Sequence, residues 1–147
     1  MWKEQVMQRM IVSCLMATML VGCGASSHDP NLSEAMKRID AILRAIEAYQ
    51  AANSTKDYPA DLGQLIPHLE AKGGKTNLES PGTPGKQMVY LRPVPGQTPD
   101  RFSIVVYDPT VYAGEQRAYG RGGGLCVSVP DPEFQAQLAK QSAKPAR

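Results

Sequence analysis

The residue types from which active sites are usually built are sparse in this chain. Its 147 residues include only two histidines, His28 and His68, which lie far apart in the sequence. A serine triad needs a histidine base, and the sequence carries no G-x-S-x-G, H-E-x-x-H or C-x-x-C pattern. Carboxylates that converge from distant positions keep a small hydrolase open as an alternative. We expect no catalytic residue, no cofactor and no metal, and we interpret His68 as a surface or boundary residue.

The charge balance argues against a nucleic-acid partner. Lys plus Arg total 16 and Asp plus Glu total 14, a formal net charge of +2. Nucleic-acid-binding proteins usually concentrate basic residues on one face. Here only Lys140, Lys144 and Arg147 cluster, and we interpret residues 139–147 as a flexible basic tail.

Cys23 is the cysteine with a recognisable chemical context. A positively charged start precedes an apolar run over residues 10–22, which fits a signal-peptide core but is too short to cross a bilayer as a helix. The run ends in Leu20-Val21-Gly22-Cys23, which resembles the lipobox of bacterial lipoproteins. That resemblance implies cleavage between Gly22 and Cys23, acyl chains on Cys23 as the membrane anchor, and removal of residues 1–22 as a signal peptide. An ordinary secretory signal or a short signal anchor is the alternative.

The same resemblance implies a location for the mature chain. Stable attachment needs more than one acyl chain, which diacyl or triacyl modification of Cys23 supplies. Gly24 follows, and a residue other than Asp at this place implies the outer membrane, facing the periplasm, in a cell that has one. Residues 23–31 then form a lipidated tether. With Cys14 removed and Cys23 acylated, Cys126 lacks a disulfide partner, and its apolar neighbours favour a small buried residue over a reactive thiol.

A long amphipathic helix is predicted to organise the folded part. Residues 32–52 place apolar side chains at steps of three and four, the period of one helix face. Asp29 before Pro30, or Asn31, offers a cap, so we expect the helix to begin within two residues of Asn31. The opposite face carries two acid-first pairs at a spacing of four residues, Glu34 with Arg38 and Asp40 with Arg44.

Short elements follow this helix. Pro59 precedes a short helix with Leu62, Leu65, Ile66 and Leu69 on one side, and the glycines and prolines of residues 73–86 predict a loop. Strands are predicted at residues 87–91, 102–107, 117–119 and 125–129, with a glycine-rich hairpin turn at 120–124.

Two further predictions concern packing. In the second strand, Phe102, Ile104 and Val106 alternate, and we expect that face to pack on the long helix. Asp131 starts a last helix that carries Phe134 and Leu138. The predicted fold class is α+β: a long N-terminal amphipathic helix packed on a small antiparallel sheet of three to four strands, with short additional helices.

Two stretches of this order resemble type II secretion pseudopilins and related type IV pilin-like proteins. The first is Ala48-Tyr49, Tyr58-Pro59-Ala60-Asp61-Leu62 and Leu65, similar to the helix end and the Tyr-Pro segment of that group. The second runs from Arg117-Ala118-Tyr119 through Gly123-Gly124 and residues 125–129 to Glu133-Phe134, similar to its C-terminal hairpin and short helix. The resemblance implies a pilin-like α+β domain over residues 32–138.

The sequence also departs from that group. It has no prepilin-peptidase site followed by a long apolar helix, and Cys23 stands in its place. Gly123 occupies the position of the hairpin Asp, so the calcium site of some major pseudopilins is not implied here. Asp100, Asp108 and Asp131 are acids that could meet in space, and we interpret them as solvated turn formers.

These observations favour a non-enzymatic, lipid-anchored protein of the cell envelope. Its pilin-like head is expected to act as a structural or interaction module, and the resemblance implies a protein partner in type II secretion or a pilus-like system. The first alternative is a periplasmic lipoprotein that binds a small ligand or glycan through its tyrosines, Tyr90, Tyr107, Tyr112 and Tyr119. The hydrolase is the less favoured one.

Overall fold

The structure is a computed structural model, and it describes residues 29–71 and 78–143. Helix α1 spans Pro30–Ala52, and a 3₁₀ turn at Leu62–Leu65 continues into the short helix α2 at Ile66–Ala71. Strands β1 (Val89–Tyr90) and β2 (Ile104–Tyr107) follow, then a 3₁₀ turn at Ala113–Glu115, strands β3 (Gln116–Arg121) and β4 (Cys126–Pro130), and helix α3 (Asp131–Ala143). The strands form one antiparallel sheet in the order β1-β2-β3-β4. The predicted α+β class, with an N-terminal helix and a small antiparallel sheet, is confirmed.

Helix α1 begins and ends where the sequence predicts. The Asp29 side chain accepts a hydrogen bond from the Asn31 amide at 2.9 Å, and Pro30 occupies the first turn, where its missing N–H costs nothing. The predicted ion pairs form, Arg38 with Glu34 at 3.2 Å and Arg44 with Asp40 at 2.9 Å. The buried face consists of Ala35, Ile39, Ile42, Leu43, Ala45 and Ile46.

Gly120 on β3 lets this face approach the sheet closely. A Cβ at this position would lie 2.9 Å from Val106 Cγ1 and 3.0 Å from both Ile39 Cγ2 and Leu43 Cδ1. These distances are shorter than ordinary carbon–carbon contacts. The helix and the sheet therefore meet at a point where a side chain has no room.

Helix α3 covers the other face of the sheet. Successive residues of a strand point to opposite faces, so Ala118 joins the core under α1 while Tyr119 joins a second core with Ile104 and Phe134. The Tyr119 and Phe134 rings lie 5.5 Å apart between centroids. The sheet is thus buried on both sides, between α1 and α3.

The predicted facing of the second strand is wrong. Phe102 is 57% exposed, Ile104 belongs to the core under α3, and only Val106 packs with α1. The register with β3 shifts between Ile104 and Val106, so Val105 is an extra residue that breaks the alternation. Ile66 also differs from expectation: it is 37% exposed, whereas Leu62, Leu65 and Leu69 are buried.

The predicted C-terminal tail begins too early. Helix α3 runs on through Ala143 instead of ending at 138. Gln141 holds this last turn against the sheet, since its side-chain amide accepts from Ile104 N at 2.7 Å and donates to Ile104 O at 2.8 Å. Residues 144–147 of the predicted tail, and residues 73–77 of the predicted loop, lie outside the described residues.

Candidate functional site

The proposed anchor lies outside the described part of the chain. Gly22, Cys23, Gly24 and the tether up to His28 precede the first described residue, Asp29. The described part of the chain begins at Asp29, directly before α1, and the lipidation of Cys23 stays a prediction. Among the described helices, none is both long enough and apolar enough to cross a bilayer.

The three candidate acids do not converge. Asp108 is fully buried and accepts a hydrogen bond from the Tyr112 hydroxyl at 2.6 Å. Asp131 accepts from Arg117 Nε, and Asp100 accepts from the Phe102 amide at 2.9 Å. Asp100 and Asp108 are turn formers, because each accepts from the amide two residues later. Asp131 is paired with Arg117, and buried Asp108 is not the solvated acid that we expected. Within residues 29–71 and 78–143, no three His, Cys, Asp or Glu side chains are grouped to hold a metal ion.

The four tyrosines of the ligand-binding alternative do not form an exposed cluster. Tyr112 and Tyr119 are buried, and Tyr90 and Tyr107 are partly buried. Two of these hydroxyls form hydrogen bonds within the domain: Tyr90 donates to Pro59 O at 2.9 Å, and Tyr119 donates to Gln137 Oε1 at 2.8 Å. Burial raises the pKa of Tyr112 to about 12, and the hydrogen bond to Asp108 adds to the effect. They are packing residues rather than a ligand platform.

The remaining histidine and cysteine also occupy structural positions. His68 is half-buried and its ring meets Tyr49 edge-on, with 5.9 Å between centroids, as expected for a boundary residue. Cys126 is half-buried and its thiol donates to Met36 O at 3.4 Å. Burial, followed by the nearby charge of Asp40, raises the pKa of the Cys126 thiol to about 12. A thiol of this kind is a poor nucleophile at neutral pH.

A row of guanidinium groups and aromatic rings crosses the α3 face of the sheet. Arg117 Cζ lies 5.1 Å from the Phe134 ring centroid, and Arg121 Cζ lies 5.4 Å from that of Tyr119. The row ends at Phe102, whose ring has Arg101 Cζ at 4.5 Å and Arg121 Cζ at 5.8 Å. Such contacts are attractive because the ring face is electron-rich. The buried stack therefore ends in a solvent-exposed ring between two cations.

An open cleft of about 510 Å³ lies beside Phe102, between β2 and the last turns of α3. It combines an exposed aromatic ring, two cationic side chains and one carboxylate with neutral polar groups. Its lining consists of Asp100, Phe102, Ser103, Ile104, Arg121, Gln137, Lys140 and Gln141. We refer to Arg101, Phe102, Arg121 and Lys140, with this cleft, as the Phe102 patch.

Arg121 is incompletely satisfied at this patch. Its Nη2 donates to the Tyr119 hydroxyl at 2.8 Å, but its Nε is buried without a hydrogen-bond partner among the described residues. A buried donor left unpaired is unfavourable by roughly 1–3 kcal/mol, and more for a charged group. Lys140, on the exposed side of α3, makes no hydrogen bond or ion pair with the described residues. Both cations line the cleft; the unpaired donor of Arg121 is buried, whereas Lys140 is exposed.

The Phe102 patch lies at the end of the domain away from the start of α1. At the near end, Ala113 N donates to Asp29 Oδ2 at 3.2 Å. At the far end, the β3–β4 turn lies beside Glu47, about 27 Å further along α1 at a rise of about 1.5 Å per residue. Gly122 N donates to Ser103 O at 2.8 Å and so ties this turn to the Phe102 loop.

The Phe102 patch was not among the sites predicted from the sequence. Arg117, Tyr119 and Arg121 alternate along one strand, which is a signal that they share a face. The contributions of Phe102 and Lys140 depend on how the loop and α3 fold back, which the local sequence does not reveal. Comparison with protein-family models, with curated proteins and with solved structures gave no match to this chain.

Proposed function

We propose that this chain is a non-enzymatic lipoprotein of the bacterial cell envelope, anchored by acyl chains on Cys23, whose α+β head is pilin-like and serves as an interaction module. The observation that carries the proposal is that the start of α1 and the Phe102 patch lie at opposite ends of the domain. The chain enters the domain at Asp29, next to the lipobox-like segment, and the Phe102 patch lies at the other end of α1. An anchored head with this geometry presents its exposed cations and aromatic ring away from the membrane.

The chemistry of the described side chains supports binding over catalysis. The buried acid, the ion-paired acid and the tyrosine hydroxyls named above are engaged in hydrogen bonds that hold strands, turns and α3 together. The exposed residues of the Phe102 patch are Arg101, Phe102 and Lys140, and arginine and aromatic residues are enriched at protein interfaces. A partner belonging to a type II secretion or pilus-like system is the specific form of the proposal, and it rests on the resemblance of residues 32–138 alone.

The anchor is tested by comparing Cys23→Ala with Cys126→Ala in the full chain. We expect a metabolic fatty-acid label on the parent protein and on Cys126→Ala, and none on Cys23→Ala. An inhibitor of lipoprotein signal peptidase should leave the signal on the parent protein. An unlabelled parent protein, or a parent protein whose processing does not respond to the inhibitor, would overturn the anchor.

The interaction role is tested by placing a photoreactive amino acid at Phe102 or at Val111 in cells. Both side chains are exposed, by 57% and 45%, but Val111 lies close to the start of α1. We expect a discrete crosslinked partner from position 102 and none from position 111. A crosslink from position 111 and none from position 102 would contradict an interaction surface at the Phe102 patch. Secretion or pilus components in the adduct would support a partner from a type II secretion or pilus-like system.

A further inference from the structure

We propose that the Phe102 patch binds an acidic protein segment, with a carboxylate placed between Arg121 and Lys140 and an adjacent apolar side chain packed on Phe102. The inference rests on the proposed function for its setting, a protein partner beyond the membrane surface. The binding chemistry itself comes from the side chains of the patch.

The guanidinium of Arg121 is held in place before a partner binds. Its Nη2 donates to the Tyr119 hydroxyl at 2.8 Å, and its Cζ lies 5.4 Å from the centroid of the Tyr119 ring. A carboxylate suits the planar guanidinium, which can present two parallel N–H donors. Little conformational entropy is lost when an already ordered side chain binds.

Cations outnumber acids at the Phe102 patch. Arg101 and Arg121 contact the Phe102 ring, Lys140 lines the same cleft, and Asp100 is the single acid in that lining. One oxygen of Asp100 accepts from the Phe102 amide, so this carboxylate shapes the loop. The excess of cations favours an anionic partner and disfavours a basic one.

The apolar surface next to the cations favours a protein segment over a small anion. Phe102 is 57% exposed, and the cleft of about 510 Å³ is large enough for several side chains. An isolated phosphate or carboxylate ion would leave this apolar surface in water. A segment that carries an acid next to a Leu or Phe covers both features at once.

The backbone at the edge of the cleft determines the mode of binding. The backbone of Ile104 at the edge of the cleft is already satisfied, because the Gln141 amide both accepts from its N–H and donates to its C=O. A partner cannot add a strand at this point without displacing Gln141. Recognition is therefore by side chains, and not by extension of the sheet.

The test uses the full-length mature lipoprotein in detergent, labelled with ¹⁵N, and titrates it with three blocked peptides that differ only in charge: acetyl-Glu-Leu-Glu-Phe-amide and its Gln and Lys counterparts. We expect saturable shifts of the backbone amides of Phe102, Ser103 and Gly122 with the Glu peptide, and much weaker shifts with the other two. Equal shifts from the Gln or Lys peptide, or no shift at millimolar Glu peptide, would overturn the proposal. Sodium phosphate that produces the same saturable shifts would also overturn it, in favour of a general anion site.

Variants assign the shifts to the patch. Lys140→Gln should weaken binding by about threefold, as an exposed charge typically does, and Arg121→Gln by more than about tenfold. Phe102→Ala, exposed and therefore safe for folding, should weaken it by about tenfold, as the loss of an aromatic anchor does. Lys37→Gln removes the same charge from the exposed face of α1 and should bind as the parent does.

Undiminished binding in Phe102→Ala and Lys140→Gln together would overturn the site even if Arg121→Gln failed to fold. Peptide binding by the domain does not depend on acylation of Cys23, so a failed binding test with a lipidated protein counts against this inference alone. A failed labelling test with intact peptide binding counts against the proposed function alone.

Discussion

Arg117 on β3 donates from Nε to the carboxylate of Asp131, the first residue of α3, and this ion pair ties the sheet to the helix that covers its second face. The same guanidinium donates to Asp108 O at 3.1 Å and stacks on the Phe134 ring. Hydrogen bonding by Arg117 holds the pKa of Asp131 below its ordinary value. The position of α3, and with it one wall of the cleft, depends on this contact.

Replacing Asp131 by Asn should therefore lower the free energy of unfolding at neutral pH. A carboxylate with a depressed pKa in the folded state stabilises the fold above its unfolded-state pKa, and that contribution is lost as pH falls through the folded-state pKa. We expect the difference between Asp131→Asn and the parent to shrink as the solution is acidified through that range. Urea unfolding followed by circular dichroism at several pH values measures it.

Asp40→Asn is the matched control, because Asp40 also pairs with an arginine but both side chains are well exposed. Its effect should be about 0.3–0.5 kcal/mol, the usual range for exposed helix pairs. An equal loss of stability in both variants at every pH would show that the Arg117–Asp131 pair has no special role.

Gly120→Ala should destabilise the protein by about 1–3 kcal/mol, the usual range for overpacking a core. The added methyl would meet Val106 Cγ1 at 2.9 Å and Ile39 Cγ2 at 3.0 Å, and both atoms belong to stiff β-branched side chains. Denaturant midpoints give the loss directly.

The double variant Gly120→Ala with Val106→Ala provides the control, since it removes the Val106 methyl that the new group would strike. The combined loss should be smaller than the sum of the two single losses. Strict additivity would mean that the contact at Gly120 does not limit the approach of α1.

Tyr112→Phe should lower stability by about 1–3 kcal/mol, because it leaves an oxygen of the buried Asp108 carboxylate without its donor. The loss of folding stability at alkaline pH should change as well. A tyrosine whose folded-state pKa is raised to about 12 stabilises the fold below its ordinary pKa, and this contribution is lost as pH rises through about 12. The variant should lack that part of the alkaline destabilisation.

Tyr107→Phe is the comparison for this experiment, since no hydrogen bond of its hydroxyl is present among the described contacts. It should stay within about 0.5 kcal/mol of the parent. Equal losses in the two variants would argue against the Asp108 bond as the cause.

Cys126 should resist alkylation in the folded protein. With a pKa of about 12, very little thiolate is present at pH 8, whereas an unfolded cysteine with a pKa of about 8.5 is substantially ionised there. We expect iodoacetamide to modify Cys126 at least about a hundredfold more slowly in buffer than in guanidinium chloride. Mass spectrometry of the peptide that contains Cys126 follows this residue separately from Cys23, and equal rates would contradict the burial.

The positions of the helices and strands could be predicted from the sequence better than which of their faces is buried. Helix α1 was predictable because its apolar face, its cap and its ion pairs all agree over many turns. The facing of β2 was not, because Ile104-Val105-Val106 is a continuous apolar run and the register shift at Val105 is set by pairing with β3. The same limit applies to α3, whose last turn is held by a contact between Gln141 and a residue far away in the chain.

The Phe102 patch is the feature that could least be predicted from the sequence. Single residues such as His68 and Cys126 could be weighed by their neighbours in sequence. His68 lies at a boundary, as expected. Cys126, which we expected to be buried, is half-buried, with its thiol bonded to Met36 O. Arg121, Phe102 and Lys140 come from a strand, a loop and a helix, and only the folded chain brings them to one cleft.

Burial of the sheet between two helices restricts how copies or partners of this protein can associate. Neither broad side of the sheet is bare, so layers of sheets cannot stack as they do in sandwich-type assemblies. Growth into anything larger has to use the outer strands β1 and β4, the solvent-facing sides of the helices or the tips of the domain.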